Sequence, residues 1–260
     1  MSDWNPELYN RFAEARKRPF LDLISLLPPG IGGKLVDLGC GDGANTAVAA
    51  EHVGAASVVG VDSSPAMLDK ARATGLDASW VEADLREALA DAGAAQLLLS
   101  NATLQFVDDH EAVVPQLLNA VAPGGWIAVH IPYNHIARTH LLLAAAAESD
   151  EFSESFGGFK KAWPQLRPEA YQQMLADAGF EFVSVQVRTY RAPMDGTDKI
   201  VDWIRGGAAR PYLAALPEDQ HDAFLEKYER LIGYAYPPCD AAGTRLLDYT
   251  RLFFVGQRPV

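Results

Sequence analysis

The sequence predicts an α/β protein built on a parallel sheet with helices on both faces. Two observations carry this. From residue 34 to residue 132, short apolar runs that end at glycine or an acidic residue alternate with stretches of helical length. The first run, "KLVDLG", passes into a loop with glycines at 39, 41 and 43 and then into a helix, the order in which a glycine motif carries chemistry.

The elements follow in order. "KLVDLG" is the first strand and "ANTAVAAEHV" the first helix of the repeat. "SVVGVDSS", rich in β-branched valine, is a second strand ending at Asp62. In "SPAMLDKARATG", Ser64 suits the N-cap, Pro65 the first turn and Gly75 the stop of a helix. "ASWVEAD" is a third strand ending at Asp84, "AQLLLSNA" a fourth and "GGWIAVHIP" a fifth, with the helix "HEAVVPQLLNAV" between the last two. Such spacing makes βαβ units covered on both faces.

The rhythm breaks after Pro132. Residues 133 to 165 hold an alanine-rich helix and the loop "FGGFKKAW"; "RPEAYQQMLADAGF" is again a helix with a glycine stop. "EFVSVQVRTYRAPM" alternates partially, as a strand does, and "GTDKIVDWIRG" and "PEDQHDAFLEKYERLIGYAY" are two helices. "DYTRLFFVGQR" is a final strand, so a late hairpin-like pair closes the parallel sheet. No internal repeat, linker or composition shift divides residues 1–260, which are expected to form a single domain.

Composition narrows the function. About half of the 260 residues are hydrophobic, enough for a sizeable core. A net charge of −12 argues against nucleic acid or a membrane surface as partner, since both want a basic face. Cys40 and Cys239 form no CxxC pair or disulfide framework, which suits a reducing cytoplasm. "MSDWNPELYNRF" lacks a signal-peptide core, and no run approaches the ~18 apolar residues of a membrane span. A cytoplasmic enzyme with no obligate protein partner is expected.

Gly39, Gly41 and Gly43, with Ala44, satisfy the loose G-x-G-x-x-[GA] pattern, so the loop by itself admits either a dinucleotide or S-adenosylmethionine. Both contain a ribose whose hydroxyls Asp62 can bind. The surroundings separate them. Asp84 is placed for an adenine amino group, "SNATLQF" for the methionine portion, and Asp37 adds a third acid before the loop. Acids around the loop suit a ligand with an amino group and a sulfonium cation; a pyrophosphate would prefer fewer. Cys40, within the loop, is a small filler rather than a reactive thiol.

"VDLGCGDG", "GVDSSPAML", "VEAD" and "SNATLQFVDDH", in order over residues 34 to 132, resemble the successive motifs of class I S-adenosylmethionine-dependent methyltransferases. The resemblance implies a Rossmann-like, seven-stranded, mostly parallel sheet with the last strand antiparallel and a helical cap over the active site. Residues 1–33 would form a helical lid, 34–132 the cofactor core, and 133–260 the cap helices and closing strands. It also implies a cofactor set of Asp37, Gly39, Cys40, Gly41, Asp62, Ser63, Met67, Asp84, Leu85, Asn101, Ala102 and Gln105.

A narrower likeness spans most of the chain. "DWNPELYNRFAEARKRP", "ATLQFV", "IVDWIRGGAARPYL" and "TRLFFV" are similar to the trans-aconitate 2-methyltransferase family, with departures at "LQF", "HIPYN" and "GAARP". Members of that family esterify one carboxylate of trans-aconitate, giving a monomethyl ester and S-adenosylhomocysteine.

Such chemistry asks for no catalytic acid or base, because a carboxyl titrating near ~4 is already ionised at neutral pH. It gains from alignment and from exclusion of water. Holding a polycarboxylate calls for arginine forks, and Arg16, Arg18, Arg210 and Arg251 are the candidates. Arg251, set among apolar residues, demands a partner in a ligand or an internal acid. Tyr9 and Phe12, three apart, would share the face of a lid helix or pack it to the core. Tyr212, among Tyr133, Tyr190 and Tyr249, could donate to substrate oxygens. His130, His135 and His140 are five apart, which aligns them on neither a strand nor a helix, so no metal is expected. His140 is assigned to substrate through the family likeness. Three other functions stay open: a methyltransferase for another acid or a hydroxyl, an NAD-dependent oxidoreductase, and a cofactor-binding protein without turnover.

Overall fold

The computed structural model describes residues 13–91 and 94–260. In chain order its elements are α1 (Ala13–Ile24), β1 (Lys34–Leu38), α2 (Ala44–Val53), β2 (Ser57–Asp62), α3 (Pro65–Arg72), β3 (Ser79–Glu82), α4 (Leu85–Asp91), β4 (Ala95–Asn101), a 3₁₀ turn (Leu104–Phe106) and α5 (His110–Asn119). There follow β5 (Val121–Pro132), α6 (Arg138–Ala147), α7 (Ser153–Phe156), α8 (Pro168–Asp177), β6 (Phe182–Met194), α9 (Thr197–Arg205), α10 (Arg210–Ala215), a 3₁₀ turn (Glu218–Gln220), α11 (His221–Ala235) and β7 (Arg245–Gln257). No helix among the described residues is long and apolar enough to cross a membrane.

The seven strands form one sheet in the order β3-β2-β1-β4-β5-β7-β6. β2 and β4 flank β1 in parallel, with Val36 beside Val59 on one side and Leu98 on the other. β3 continues parallel beyond β2, and β5 beyond β4. β7 runs antiparallel to β5, pairing Ile127 with Gly256 and Pro132 with Arg251. The seven-stranded sheet with its antiparallel closing strand is therefore as expected. The late strand pair are neighbours, but β7 lies inside and β6 takes the edge. That placement explains the mixed exposure along β6, where Phe182 and Val187 are open to solvent.

Two compact units make up the chain. One comprises Arg18–Pro132, Pro164–Arg188 and Arg251–Val260; the other comprises Tyr133–Trp163 and Thr189–Thr250, with the described residues up to Lys17. β6 and β7 each run from one unit into the other, so no single cut separates them and composition marks no boundary. In the first unit Leu35, Val36, Leu38, Leu97, Leu98, Leu99, Ile127, Ala128 and Val129 are fully buried. Consecutive buried residues mean both faces of the central strands are covered, the reason these runs do not alternate. The second unit has a core of its own, in which Phe152, Phe156, Tyr212 and Phe224 meet edge to face or stacked.

Boundaries moved modestly. β5 begins at Val121 and β7 at Arg245, a few residues before the apolar runs suggested, because pairing with a neighbour extends a strand beyond its local pattern. β3 stops at Glu82, two residues short of Asp84. The short α10 was not anticipated, although Pro211 suits its first turn.

Candidate functional site

In an open α/β sheet the ligand crevice lies beyond the carboxyl ends of the strands, where the strand order reverses. Here that point is between β1 and β4, and the loop Gly39–Gly43 leaves β1 there. The N–H groups of Gly39 and Cys40 donate to the carbonyl of Val61, 2.8 and 2.9 Å away, tying the loop to β2. Asp62, at the end of β2, accepts from Gly41 N–H through Oδ2 and from Ser64 N–H through Oδ1, each at 2.9 Å. One carboxylate thus braces the glycine loop and the start of α3 together.

Gly41 has φ of +56°, and a Cβ placed there would meet nothing within 4 Å. The backbone at that point faces open space, as a loop that lets a ligand lie against it must. Beneath it Asp37 is only 2 % exposed. Thr46 Oγ1 donates to its Oδ2 at 2.6 Å, while Oδ1 is buried without a hydrogen-bond partner among the described residues. Burial drives the Asp37 pKa up from 3.8 to about 7; the Thr46 bond opposes the shift and the charge of Asp62 adds to it. A buried carboxylate with an unused oxygen is what a cationic ligand would stabilise. Cys40 is buried, and burial followed by the charges of Asp37 and Asp62 pushes its thiol pKa up, so it stays protonated and fills space.

The Asp37 shift has a testable sign. The folded state keeps a proton that the unfolded chain releases near pH 4, so folding stability falls as pH climbs from about 4 through about 7, then levels off. Between pH 5 and 8 this amounts to roughly 2–3 kcal/mol. Asp37→Asn is expected to remove that part of the slope, read by urea unfolding at both pH values. Parallel slopes for the two proteins would contradict the assignment.

The other residues of the expected cofactor set lie in the segments that leave the carboxyl ends of β2, β3 and β4. Ser63 is exposed and Met67 half-buried in the first turn of α3. Asp84 is exposed and accepts from Arg86 N–H at 2.9 Å, with Leu85 buried behind it. Asn101 ends β4, and Ala102 follows at φ +55°, its N–H donating to His130 carbonyl at 2.9 Å. Gln105 donates to Ala102 carbonyl at 2.5 Å, and its buried Oε1 has no hydrogen-bond partner among the described residues. Its 3₁₀ turn is held by His110, whose Nε2 donates to Leu104 carbonyl at 2.8 Å while Nδ1 accepts from the Tyr171 hydroxyl.

His130 joins this group, a neighbour the sequence weighed only as a metal ligand. Its ring stacks on Phe253, and Nδ1 donates to Asn101 Oδ1 at 2.7 Å, fixing the amide. Burial first, and then the charge of Arg251, hold His130 well below its ordinary pKa, so the ring is neutral. Arg251 is buried on β7 opposite Pro132. Its signal was a charged residue inside an apolar strand; the signal for His130, a polar residue near the end of an apolar run, was of the same kind.

The second unit contains a cavity of about 210 Å³. His140 and Tyr212 line it, together with His135, Lys160, Lys161 and Trp163. The expected arginines do not: Arg210 is exposed at the start of α10 and is absent from the lining, and Arg18 is exposed on α1. Tyr9 and Phe12 lie outside the described residues, as does the side chain of Arg16. The same unit also has a more open hollow of about 420 Å³, whose lining includes Glu226, Glu229, Arg230 and Arg245 and no residue of the expected set.

A glycine cradle at the switch point of such a sheet, ringed by Asp37, Asp62 and Asn101, defines a Rossmann-like methyltransferase. The family described as "Methyltransferase domain" matches residues 35–125. Trans-aconitate 2-methyltransferase from Methylobacterium radiotolerans is 39 % identical over 267 residues, and that from Variovorax paradoxus 38 % over 259; each comparison covers 99 % of both chains. The chain belongs to the trans-aconitate 2-methyltransferase family. In fold it resembles the YcgJ protein from Bacillus subtilis, with a TM-score of 0.59 over 94 % of this chain and 99 % of that one, at 10 % identity.

Proposed function

We propose that this protein methylates one carboxylate of trans-aconitate, using S-adenosyl-L-methionine and releasing the monomethyl ester and S-adenosyl-L-homocysteine. The observation that carries the reading is the cradle: an open glycine backbone at Gly41 above a buried Asp37 with an unused oxygen, inside a chain of this family. When bound, S-adenosyl-L-methionine supplies a methyl group on a positively charged sulfur. Asp62 would accept hydrogen bonds from its ribose hydroxyls, and Asp84 would meet its adenine amino group. Asp37 and Asn101 would hold the methionine end, where carboxylate and amide oxygens suit an ammonium group.

The protein has no proton to move in the transfer itself. The acceptor carboxylate is already ionised at neutral pH, so no residue of the chain has to activate it. His130, neutral and fixed on Asn101, serves as a positioning residue rather than a base. What remains for the chain is to align the acceptor and strip it of water. We place the reaction in the cytoplasm, where Cys40 and Cys239 remain free thiols.

Purified protein is to be given methyl-labelled S-adenosyl-L-methionine with trans-aconitate, cis-aconitate, citrate and isocitrate in turn. Base-labile methyl ester is expected with trans-aconitate, at a rate at least tenfold above the other acids. Absence of ester from every acid, with cofactor still bound, would overturn the substrate and leave the fold standing.

A further inference from the structure

We propose that His110 and Tyr171 are positioning residues for the cofactor site: they hold the turn Leu104–Phe106 so that the side-chain carbonyl of Gln105 can accept a hydrogen bond from the ammonium group of S-adenosyl-L-methionine. The inference rests on the reading of an S-adenosyl-L-methionine site and is independent of the acceptor acid. All of its residues belong to the first unit.

The turn is joined to the glycine loop. Thr103 Oγ1 lies 3.4 Å from the Gly39 carbonyl, and a Cβ on Gly39 would overlap its side chain. One position earlier in β4, Ser100 Oγ donates to the Leu38 carbonyl at 3.0 Å. Among the described residues, the non-glycine residues of positive φ are Ala102 at +55° and Asp109 at +59°, and they bracket this turn. Such backbone persists only where its surroundings hold it, and it gathers at ligand sites.

A buried relay does the holding. The Leu104 carbonyl accepts from Val107 N–H at 2.9 Å and from His110 Nε2 at 2.8 Å. A carbonyl can only accept, so Nε2 carries the proton and Nδ1 accepts from the Tyr171 hydroxyl at 2.5 Å. That hydroxyl accepts in turn from Leu166 N–H at 3.1 Å, and the Tyr171 ring stacks on Phe254 of β7 at 5.0 Å. Both His110 and Tyr171 are buried, and burial holds the His110 pKa down, which keeps the ring neutral. A buried network with a partner at each link fixes one geometry.

Gln105 stands in the middle of the turn. Its Nε2 donates to the Ala102 carbonyl at 2.5 Å, which sets the orientation of the amide. The other end, Oε1, is buried without a hydrogen-bond partner among the described residues. A buried acceptor left unmet is costly, and a charged donor offsets that cost more fully than a neutral one. With ribose and adenine assigned to Asp62 and Asp84, the ammonium group falls to acceptors beyond β1 and β4. Asn101 Oδ1 there already accepts from His130, so Gln105 supplies a second amide oxygen beside Asp37.

The test measures binding of two ligands to the full chain by calorimetry: S-adenosyl-L-homocysteine, and methylthioadenosine, which lacks the amino-acid end. Y171F is expected to weaken S-adenosyl-L-homocysteine at least fivefold and Q105L at least tenfold, with methylthioadenosine affinity within twofold in both. H110F should lose at least as much as Y171F. The chain carrying Y171F and Q105L together should bind no more than twofold weaker than Q105L alone, because Tyr171 acts through Gln105. L175A, which empties a fully buried position on the same helix α8, is the control. Its melting temperature should fall at least as far as that of Y171F, with S-adenosyl-L-homocysteine affinity within twofold. Equal weakening of both ligands in Y171F, additive losses in the double variant, or a matching loss in L175A would overturn the positioning role. Failure of the unaltered chain to bind S-adenosyl-L-homocysteine would instead overturn the cofactor reading itself.

Discussion

Asp62→Ala is expected to weaken binding of S-adenosyl-L-homocysteine by about two orders of magnitude. The carboxylate has two structural partners, the N–H groups of Gly41 and Ser64, both at 2.9 Å. Charge-assisted hydrogen bonds contribute roughly 1.5–3 kcal/mol each, and the ribose contacts would be lost with them. A loss near ~3 kcal/mol corresponds to about a hundredfold in affinity. Because Asp62 braces the loop in the absence of ligand, the melting temperature should fall as well. Asp62→Asn restores one acceptor but turns an amide N–H toward the other donor, so it should recover only part of the loss. Titration calorimetry on the three proteins decides the matter. An affinity for the alanine variant within threefold of the unaltered chain would place the ribose elsewhere.

The second large effect separates two glycines of one loop. Gly39 has φ of +80°, and a Cβ there would overlap the side chain of Thr103, reaching its Cβ at 2.6 Å. Gly39→Ala therefore combines left-handed backbone strain of about 1–2 kcal/mol with overpacking of similar size. A drop on the order of 5–10 °C in melting temperature is expected for a chain of this length. Gly41→Ala carries backbone strain but meets no atom within 4 Å, so its melting temperature should change by roughly half as much or less. Its added methyl occupies the space above the loop, and cofactor affinity should fall at least tenfold. Thermal melts and calorimetry on both variants give the comparison. Equal stability losses, or an unchanged affinity for Gly41→Ala, would show that the ligand does not lie against Gly41.

The cradle was legible because its code is local. A glycine that takes positive φ after an apolar strand, and an acid at the end of the next strand, are read within about twenty residues of one another. Asp62 and Asn101 end their strands and Asp37 stands one residue before the end of β1, as the alternation of runs implied. The wall of the cavity in the second unit was harder to read. Arg210 is exposed, and that wall holds Lys160 and Lys161 from a stretch without regular structure. A side chain in such a stretch has no periodicity to show which way it faces.

The sequence by itself determined the α/β class, the glycine loop and its ring of acids, since each depends on backbone preference and hydrophobic pattern over a short span. Tertiary structure alone decided which distant residues meet. The pairing of β5 with β4 brings His130 to Asn101 across 29 positions, and it is the burial produced by that pairing that keeps the ring neutral. β7 rather than β6 became the inner closing strand, although both runs are long enough, because nothing in a strand's own residues names its neighbour. The cavity of the second unit likewise exists only once α6, α10 and the loop at Lys160 have packed, when burial and charge at each side chain are set by neighbours far along the chain.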